Sequence, residues 1–110
     1  MKKRMILALA VLIATVASSR AADAKQNWDK ICAKCHGPDG KGNTPMGKKL
    51  RIVDHTDPKT QAKYTDEQMF KAIKEGVKDE KGSIKMKANR EELTDEEIKT
   101  LVAYVRTLKK

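Results

Sequence analysis

Aromatic residues are scarce in this chain: only 4% of its 110 residues are Phe, Trp or Tyr. A chain of this length forms one small domain, and domains of that size usually need a staple, a metal or a cofactor. With so few large side chains, we expect a bound group to help complete the core. The shortage also argues against a nucleic-acid partner, because no aromatics punctuate the lysines as a base-stacking surface would require.

Other signatures are missing as well. No run of alternating or β-branched residues predicts a sheet, and no nucleophile–base pair or phosphate-binding loop predicts catalysis. Apolar residues instead recur at helical spacing in several segments. We therefore expect a helical protein without an enzymatic active site.

Two cysteines three residues apart, followed at once by a histidine, are the most informative feature of the chain. Cys32, Cys35 and His36 form the C-x-x-C-H sequence that attaches haem covalently. Residues i and i+3 are neighbours on one face of a helix, so both sulfurs can form thioether bonds with the two vinyl groups of one haem. His36 then lies under the iron as its proximal ligand.

Other interpretations compete for the same residues. A C-x-x-C pair can be a redox dithiol, but that interpretation requires a thioredoxin-like βαβ setting, which nothing here predicts. A structural zinc site usually needs four Cys or His ligands. The chain has two of each, and His55, its second histidine, has no partner at ligand spacing. A chance occurrence of the motif is the remaining alternative.

The N-terminus has the pattern of a secretory signal peptide. Residues 2–4 are basic, residues 5–17 form an apolar run interrupted only by a threonine, and small residues follow. We expect residues 1–24 to be the signal peptide, cleaved after Ala21 or Ala24, and residues 25–110 to be the domain. The run is shorter than the ~20 apolar residues of a membrane span, and an uncleaved anchor is the alternative. Thioether attachment of haem takes place outside the bacterial cytoplasm, so both signals indicate a periplasmic or otherwise exported protein.

Three helices are predicted after the apolar run. The first extends from about residue 23 to the haem motif and carries an apolar stripe. The second begins at Thr65 and the third at Thr94, because each threonine starts a capping box with the residue three positions later. Gly76 is a suitable C-cap for the second helix. The apolar face of the third helix consists of Ile98, Leu101, Val102, Val105 and Leu108.

Two segments are predicted to be loops. Residues 37–47 contain four glycines and two prolines, a composition that opposes regular structure. Glycines beside a bound haem also allow close approach of the backbone. Residues 78–92 are polar, rich in lysine and without apolar periodicity, and their most notable member is Met86.

With these residues in view, the chain resembles the class I cytochromes c over its whole exported domain. The resemblance rests on Cys32–Gly37, on a methionine in a loop, and on the closing helix around Leu101–Arg106. It implies a small all-α cytochrome c fold, in which the N- and C-terminal helices cross and pack over one covalently bound haem c. An aromatic residue before the first haem cysteine, here Trp28, is then expected to meet one on the last helix, here Tyr104.

The resemblance also implies that a methionine sulfur is the second axial ligand of the iron. Met86 matches by position, although Lys87 stands where the family commonly has proline. Three other residues compete with it. Met46 follows the motif so closely that reaching the opposite haem face is demanding, and Met69 has the spacing of a core residue. His55 lies in a predicted polar turn and would give bis-histidine ligation.

The same resemblance assigns supporting roles to a few polar groups. The carbonyl of Pro45 is expected to accept the second ring N–H of His36, which fixes the imidazole and makes it a better donor to the iron. Three residues are candidate donors to the haem propionates: Arg51, Gln61 and Tyr64.

The expected function is one-electron transfer. With His36 and Met86 both bound, the iron has no vacant position for a substrate, and such ligation suits an electron shuttle. We therefore expect a monomeric carrier between larger redox proteins. Two alternatives stay open: a five-coordinate haem enzyme or sensor, and a thiol–disulfide oxidoreductase using the C-x-x-C pair.

The charge of the chain indicates what its partners look like. The formal net charge is +9 at pH 7, part of it in the signal segment. Basic residues near both ligands are expected to surround the exposed haem edge; they are Lys34, Lys48, Lys49, Lys85 and Lys87. Such a ring favours docking on the acidic surfaces of redox proteins, whereas lysines kept for solubility would have no such role. Contact with a membrane is expected only through partner complexes or an uncleaved signal.

Overall fold

The computed structural model describes residues 23–110 of the chain. The predicted basic and apolar parts of the signal peptide, and the Ala21 cleavage site, lie outside these residues. The described part consists of helices joined by loops, with one two-stranded hairpin. None of its helices is both long and apolar enough to cross a membrane.

The first helix, α1, covers residues 23–36 and includes the haem motif. Its middle is a π-helical turn over Trp28–Cys32, and Ala33–His36 returns to α-helical geometry. The wider turn is closed by an N–H that donates to the carbonyl five residues earlier. Gly37 follows with a φ of 82°, a conformation that favours glycine. The prediction of a helix from about residue 23 to the motif is confirmed.

Two short helices, α2 (Pro45–Leu50) and α3 (Pro58–Lys63), are absent from the sequence-based prediction. Because α2 begins inside residues 37–47, the prediction of a loop there is wrong at its C-terminal end. Thr44 caps α2 and Asp57 caps α3, each side chain accepting a backbone N–H of the first turn. A side-chain cap followed by proline is a strong helix start, and here it outweighs the local glycine content.

The two longer helices, α4 (Asp66–Glu75) and α5 (Asp95–Thr107), begin where the sequence predicts. The capping boxes at Thr65 and Thr94 are complete. In each, the threonine hydroxyl accepts the backbone N–H of the residue three positions later, and the side chain of that residue accepts the threonine backbone N–H. Gly76 ends α4 with a φ of 80°. These two helix predictions are confirmed.

A short antiparallel hairpin joins α4 to the methionine loop. Its strands are β1 (Val77–Lys78) and β2 (Ile84–Met86), with the first residue of β1 opposite the last residue of β2. The turn is held by Asp79, whose carboxylate accepts two backbone N–H groups. The prediction that residues 78–92 form only a loop is therefore wrong in its first half, because strands this short show no alternation.

Helix α5 forms the centre of the apolar core. Ile98 and Leu101 are completely buried, at 0% exposure. The Trp28 ring of α1 meets the Tyr104 ring of α5 with 5.6 Å between centroids and an angle of 47°. The predicted packing of the first helix on the last is therefore confirmed. The same cluster also contains Cys32, Met69, Ile73, Leu93, Val102 and Val105.

Arg106 ties the segment around α3 and α4 to α5. Its guanidinium donates to the backbone carbonyls of Gln61 at 2.5 Å and Tyr64 at 2.7 Å, and to the Asp66 carboxylate at 2.8 Å. Gln61 is itself buried, and its amide nitrogen donates to two further backbone carbonyls. Both of its side-chain N–H groups are used in this way, so neither is free in this structure to donate to a haem propionate.

Candidate functional site

Both cysteines of the motif lie on α1 as free thiols. Cys32 is buried at the end of the π-helical turn, and Cys35 is half-buried one turn later. Burial raises the pKa of the Cys32 thiol to about 11, and Cys35 adds to the rise. A redox-active dithiol needs a cysteine with a lowered pKa, so Cys32 lacks the property that the thiol–disulfide alternative requires.

His36 ends α1 with its imidazole between two other rings. Its centroid lies 5.6 Å from that of Trp28 and 5.3 Å from that of His55. The Trp28 ring is itself fixed, because its Nε1 donates to the Gly37 carbonyl at 3.0 Å. Burial, with a smaller effect from His55, lowers the pKa of His36 to about 4. The neutral imidazole is therefore the form present at pH 7, and it is the form that binds a metal.

Each of these two facing histidines has a buried nitrogen without a partner. Nδ1 of His36 and Nδ1 of His55 make no hydrogen bond within residues 23–110. The predicted bond from His36 to the Pro45 carbonyl is therefore wrong for this structure. Pro45 is the first residue of α2, and backbone carbonyls at the start of a helix accept N–H groups from its next turn. Since Nδ1 of His36 is buried, Nε2 is the nitrogen that remains for a metal.

The loop after the motif holds the backbone of the motif in place. The Gly42 N–H donates to the His36 carbonyl at 2.7 Å. The Thr44 hydroxyl donates to the Cys35 carbonyl, also at 2.7 Å. A Cβ on Gly47 would lie 2.6 Å from the Cys35 carbonyl oxygen and closer still to that of Gly42. Because only glycine tolerates such an approach, the motif, its loop and the start of α2 pack as one unit.

Met86 lies at the end of β2, half-buried against the apolar core. Its backbone packs on Gly76, where a Cβ would lie 2.5 Å from the Met86 carbonyl oxygen. Three residues later, Asn89 is buried and its side-chain amide donates to the last turn of α4. The segment that carries Met86 is therefore fastened to the end of α4 on both sides of the methionine.

The competing ligand candidates lie in other environments. Met69 is 7% exposed in the core on α4, and Met46 is 38% exposed on α2. The prediction that Met69 is a core residue is confirmed. His55 lies in a turn, as predicted, but its ring packs beside His36 rather than in solvent.

Sequence reasoning does not identify two of the residues around Met86. Asn89 stands in a polar, lysine-rich segment, where an asparagine carries no periodic or motif signal. Gly76 is predicted only as a helix cap, and its contact with Met86 depends on a hairpin that the sequence does not reveal.

Comparison with known proteins shows which family the chain belongs to. The family model described as Cytochrome c matches residues 21–109. A solved structure, the KustC0563 c-type cytochrome, has a TM-score of 0.69 and 36% sequence identity, covering 79% of this chain and 98% of that chain. No curated protein matches. The two free thiols and the neutral histidine on α1 fit a covalently attached haem. The chain belongs to the cytochrome c family, whose cofactor is a covalently bound haem c and whose members generally act as electron carriers.

Proposed function

We propose that this protein is an exported monohaem cytochrome c that transfers single electrons between larger redox proteins, with His36 and Met86 as iron ligands. The observation that carries the proposal is the half-buried, neutral His36 beside two free cysteines on α1, in a chain of the cytochrome c family. When bound, the haem supplies a one-electron iron couple, and His/Met ligation raises its reduction potential.

Cys32 and Cys35 hold the haem through thioether bonds in this proposal. The support is the rigid setting of the motif: Cys32 is seated in the core, and the Cys35 carbonyl is fixed by the Thr44 hydroxyl. The tether keeps His36 close to the iron, so the proximal ligand is effectively intramolecular. The raised pKa of the Cys32 thiol disfavours its use as a redox nucleophile.

Met86 is the proposed second axial ligand because of its environment. Of the methionines in residues 23–110, it alone is half-buried outside a helix, at the edge of the core. Met69 is already committed to core packing, whereas Met46 is exposed on α2. A methionine on a short strand between two fastened points can present its sulfur without disturbing a helix.

The absorption spectrum of the ferric protein tests this ligand. Met86→Ala should remove the weak red band of methionine–iron ligation, lower the reduction potential and speed cyanide binding. Met46→Ala, the matched control, should keep the band, since Met46 lies on the exposed surface of α2. His55→Ala should keep it too. A Met86→Ala protein with the spectrum and potential of the parent would overturn the assignment and make His55 the next residue to test.

The exposed lysines are the proposed docking surface for acidic partners. All five predicted members are exposed; they are Lys34, Lys48, Lys49, Lys85 and Lys87. Of these five lysines, only Lys87 forms an ion pair within residues 23–110, with Glu92 at 3.0 Å. The rate of electron transfer to an acidic redox protein should fall as salt rises. Charge reversal at Lys34 and Lys85 should slow electron transfer more than charge reversal at Lys59 and Lys63 of α3, which are also exposed. A rate independent of salt would show that the lysines serve only solubility.

Export with cleavage after Ala21 completes the proposal. Ala24 is only 3% exposed within α1, so cleavage after Ala24 would remove a residue of the core. Cleavage after Ala21 would keep the start of α1 intact. N-terminal sequencing of the exported protein should read Ala22 first, and a chain that begins at Lys25 would contradict this choice.

A further inference from the structure

We propose that Asn89 is a positioning residue for Met86, which acts by clamping the segment after the methionine to the end of α4. The inference rests on the proposed role of Met86 as an iron ligand. In this chain Lys87 follows the methionine, where the family commonly has proline. A lysine leaves the backbone after Met86 free to rotate, whereas a proline would restrict it.

The side chain of Asn89 bridges two backbone carbonyls that belong to different elements. Its amide nitrogen donates to the carbonyl of Ile73 at 3.2 Å and to that of Lys87 at 3.1 Å. Its own backbone N–H also donates to Ile73, at 3.0 Å. Ile73 is in the last turn of α4, where carbonyls lack helical partners. One buried amide therefore joins the end of α4 to the residue next to Met86.

The burial of Asn89 strengthens the hydrogen bonds of this bridge. Asn89 is 6% exposed, and a hydrogen bond in such a setting is stronger than one exposed to water. Both of its side-chain N–H groups are used, so the amide has a polar role rather than a packing role alone. Its backbone carbonyl accepts from Glu92 and Leu93 at 3.1 and 2.9 Å, which leads the chain toward the capping box of α5. The clamp thus fixes the direction of the chain on the far side of Met86.

Gly76 closes the clamp on the near side. A Cβ there would lie 2.5 Å from the Met86 carbonyl oxygen and 2.8 Å from the Ala88 nitrogen. Its φ of 80° is a further reason why glycine is needed. The next residue, Val77, is the hairpin partner of Met86. The backbone on both sides of Met86 is therefore held against one helix end, which keeps the sulfur in place without the proline.

If Asn89 clamps this segment, removal of its side chain should make the Met86–iron bond open more often. Loss of the two side-chain hydrogen bonds in Asn89→Ala should raise the population without bound methionine by about tenfold. Imidazole added to the ferric holoprotein binds only when that position opens, so its binding rate reports the population. We expect binding about tenfold faster in Asn89→Ala than in the parent.

Asn27→Ala is the matched control. Asn27 is a half-buried asparagine on α1 whose amide donates to Glu97 at 3.3 Å, away from the methionine segment. Its imidazole binding rate should stay within about twofold of the parent, because loss of a bond remote from the methionine does not open the iron. Equal rates in the parent and both variants, with a Met86→Ala protein that lacks the band, would refute the clamp and leave the ligand assignment standing. A Met86→Ala protein that retains the band would instead refute the proposed function.

Hydrogen exchange on the unmodified holoprotein tests the clamp even if Asn89→Ala does not fold. The Asn89 backbone N–H should exchange slowly in the resting protein, because it donates to Ile73. Saturating imidazole, which displaces Met86, should accelerate its exchange more than that of the Ile98 N–H inside α5. Equal exchange of the Asn89 N–H with and without imidazole would show that the clamp and the methionine are independent, and would overturn the proposal.

Discussion

Gly47→Ala has two opposing effects on stability: alanine has the higher helix propensity, but its side chain disturbs the close packing of α2 on the haem motif. Gly47 lies inside α2, and alanine is intrinsically better than glycine in a helix by about 1 kcal/mol. On propensity alone the substitution would stabilise the protein. The structure predicts the opposite sign, because the new methyl group has no space.

The size of the effect follows from the atoms around Gly47. The added Cβ would overlap the carbonyl oxygen of Gly42 and would lie 2.6 Å from that of Cys35. These are backbone atoms, so α2 must move away from the motif. Overpacking of this kind costs about 1–3 kcal/mol, and the movement breaks the hydrogen bond from Thr44 to Cys35, worth about 1 kcal/mol. After the gain in propensity, we expect a net loss of about 1–3 kcal/mol in the free energy of unfolding.

Guanidinium unfolding of the haem-containing protein, followed by far-UV circular dichroism, measures this loss. Gly82→Ala is the control, because Gly82 has a φ of 83° but no atom within 4 Å of an added Cβ. It should cost about 1 kcal/mol of backbone strain and leave the haem absorption spectrum unchanged. Gly47→Ala should also shift that spectrum, since the displacement reaches Cys35. A Gly47→Ala protein as stable as the parent, or more stable, would refute the reasoning.

Three more predictions concern the scaffold, and denaturant unfolding checks each. Leu101→Ala should lower the free energy of unfolding by about 2–5 kcal/mol, since Leu101 is completely buried; a loss below 1 kcal/mol would contradict its place in the core. Arg106→Lys should cost about 2 kcal/mol, because three separate guanidinium nitrogens reach Gln61, Tyr64 and Asp66, a geometry that one ammonium nitrogen does not reproduce; an unchanged denaturation midpoint would show that these hydrogen bonds do not stabilise the fold. Thr94→Ala should cost about 1 kcal/mol through loss of the capping box, and no loss would show that the cap is redundant.

The parts of the fold that could be predicted are those with local chemical signals. Thr65 and Thr94 each stand three residues before a Gln or Glu, and both capping boxes form as expected. The contact between Trp28 and Tyr104 also forms, although its prediction came from the resemblance rather than from spacing. The haem motif is local too, since helix geometry alone puts its two cysteines on one face.

The parts that could not be predicted depend on contacts between distant segments or on signals that were outweighed. Thr44 followed by proline is a helix start, but the glycine content of residues 37–47 outweighs this signal in the sequence, so α2 is not predicted. The hairpin is too short for alternation to appear. Asn89 gains its role only because the hairpin returns the chain to the end of α4, and no local pattern encodes such a return.

The intact mass of the denatured mature protein shows whether haem is covalently bound to the chain. A covalent haem survives denaturation, so we expect the mass of the chain plus one haem, located by digestion on the peptide that contains Cys32 and Cys35. The double variant Cys32→Ala/Cys35→Ala should lose that added mass, and each single variant should retain less haem than the parent. A parent protein with the mass of the bare chain, or a double variant that keeps haem after denaturation, would contradict covalent attachment of haem through Cys32 and Cys35.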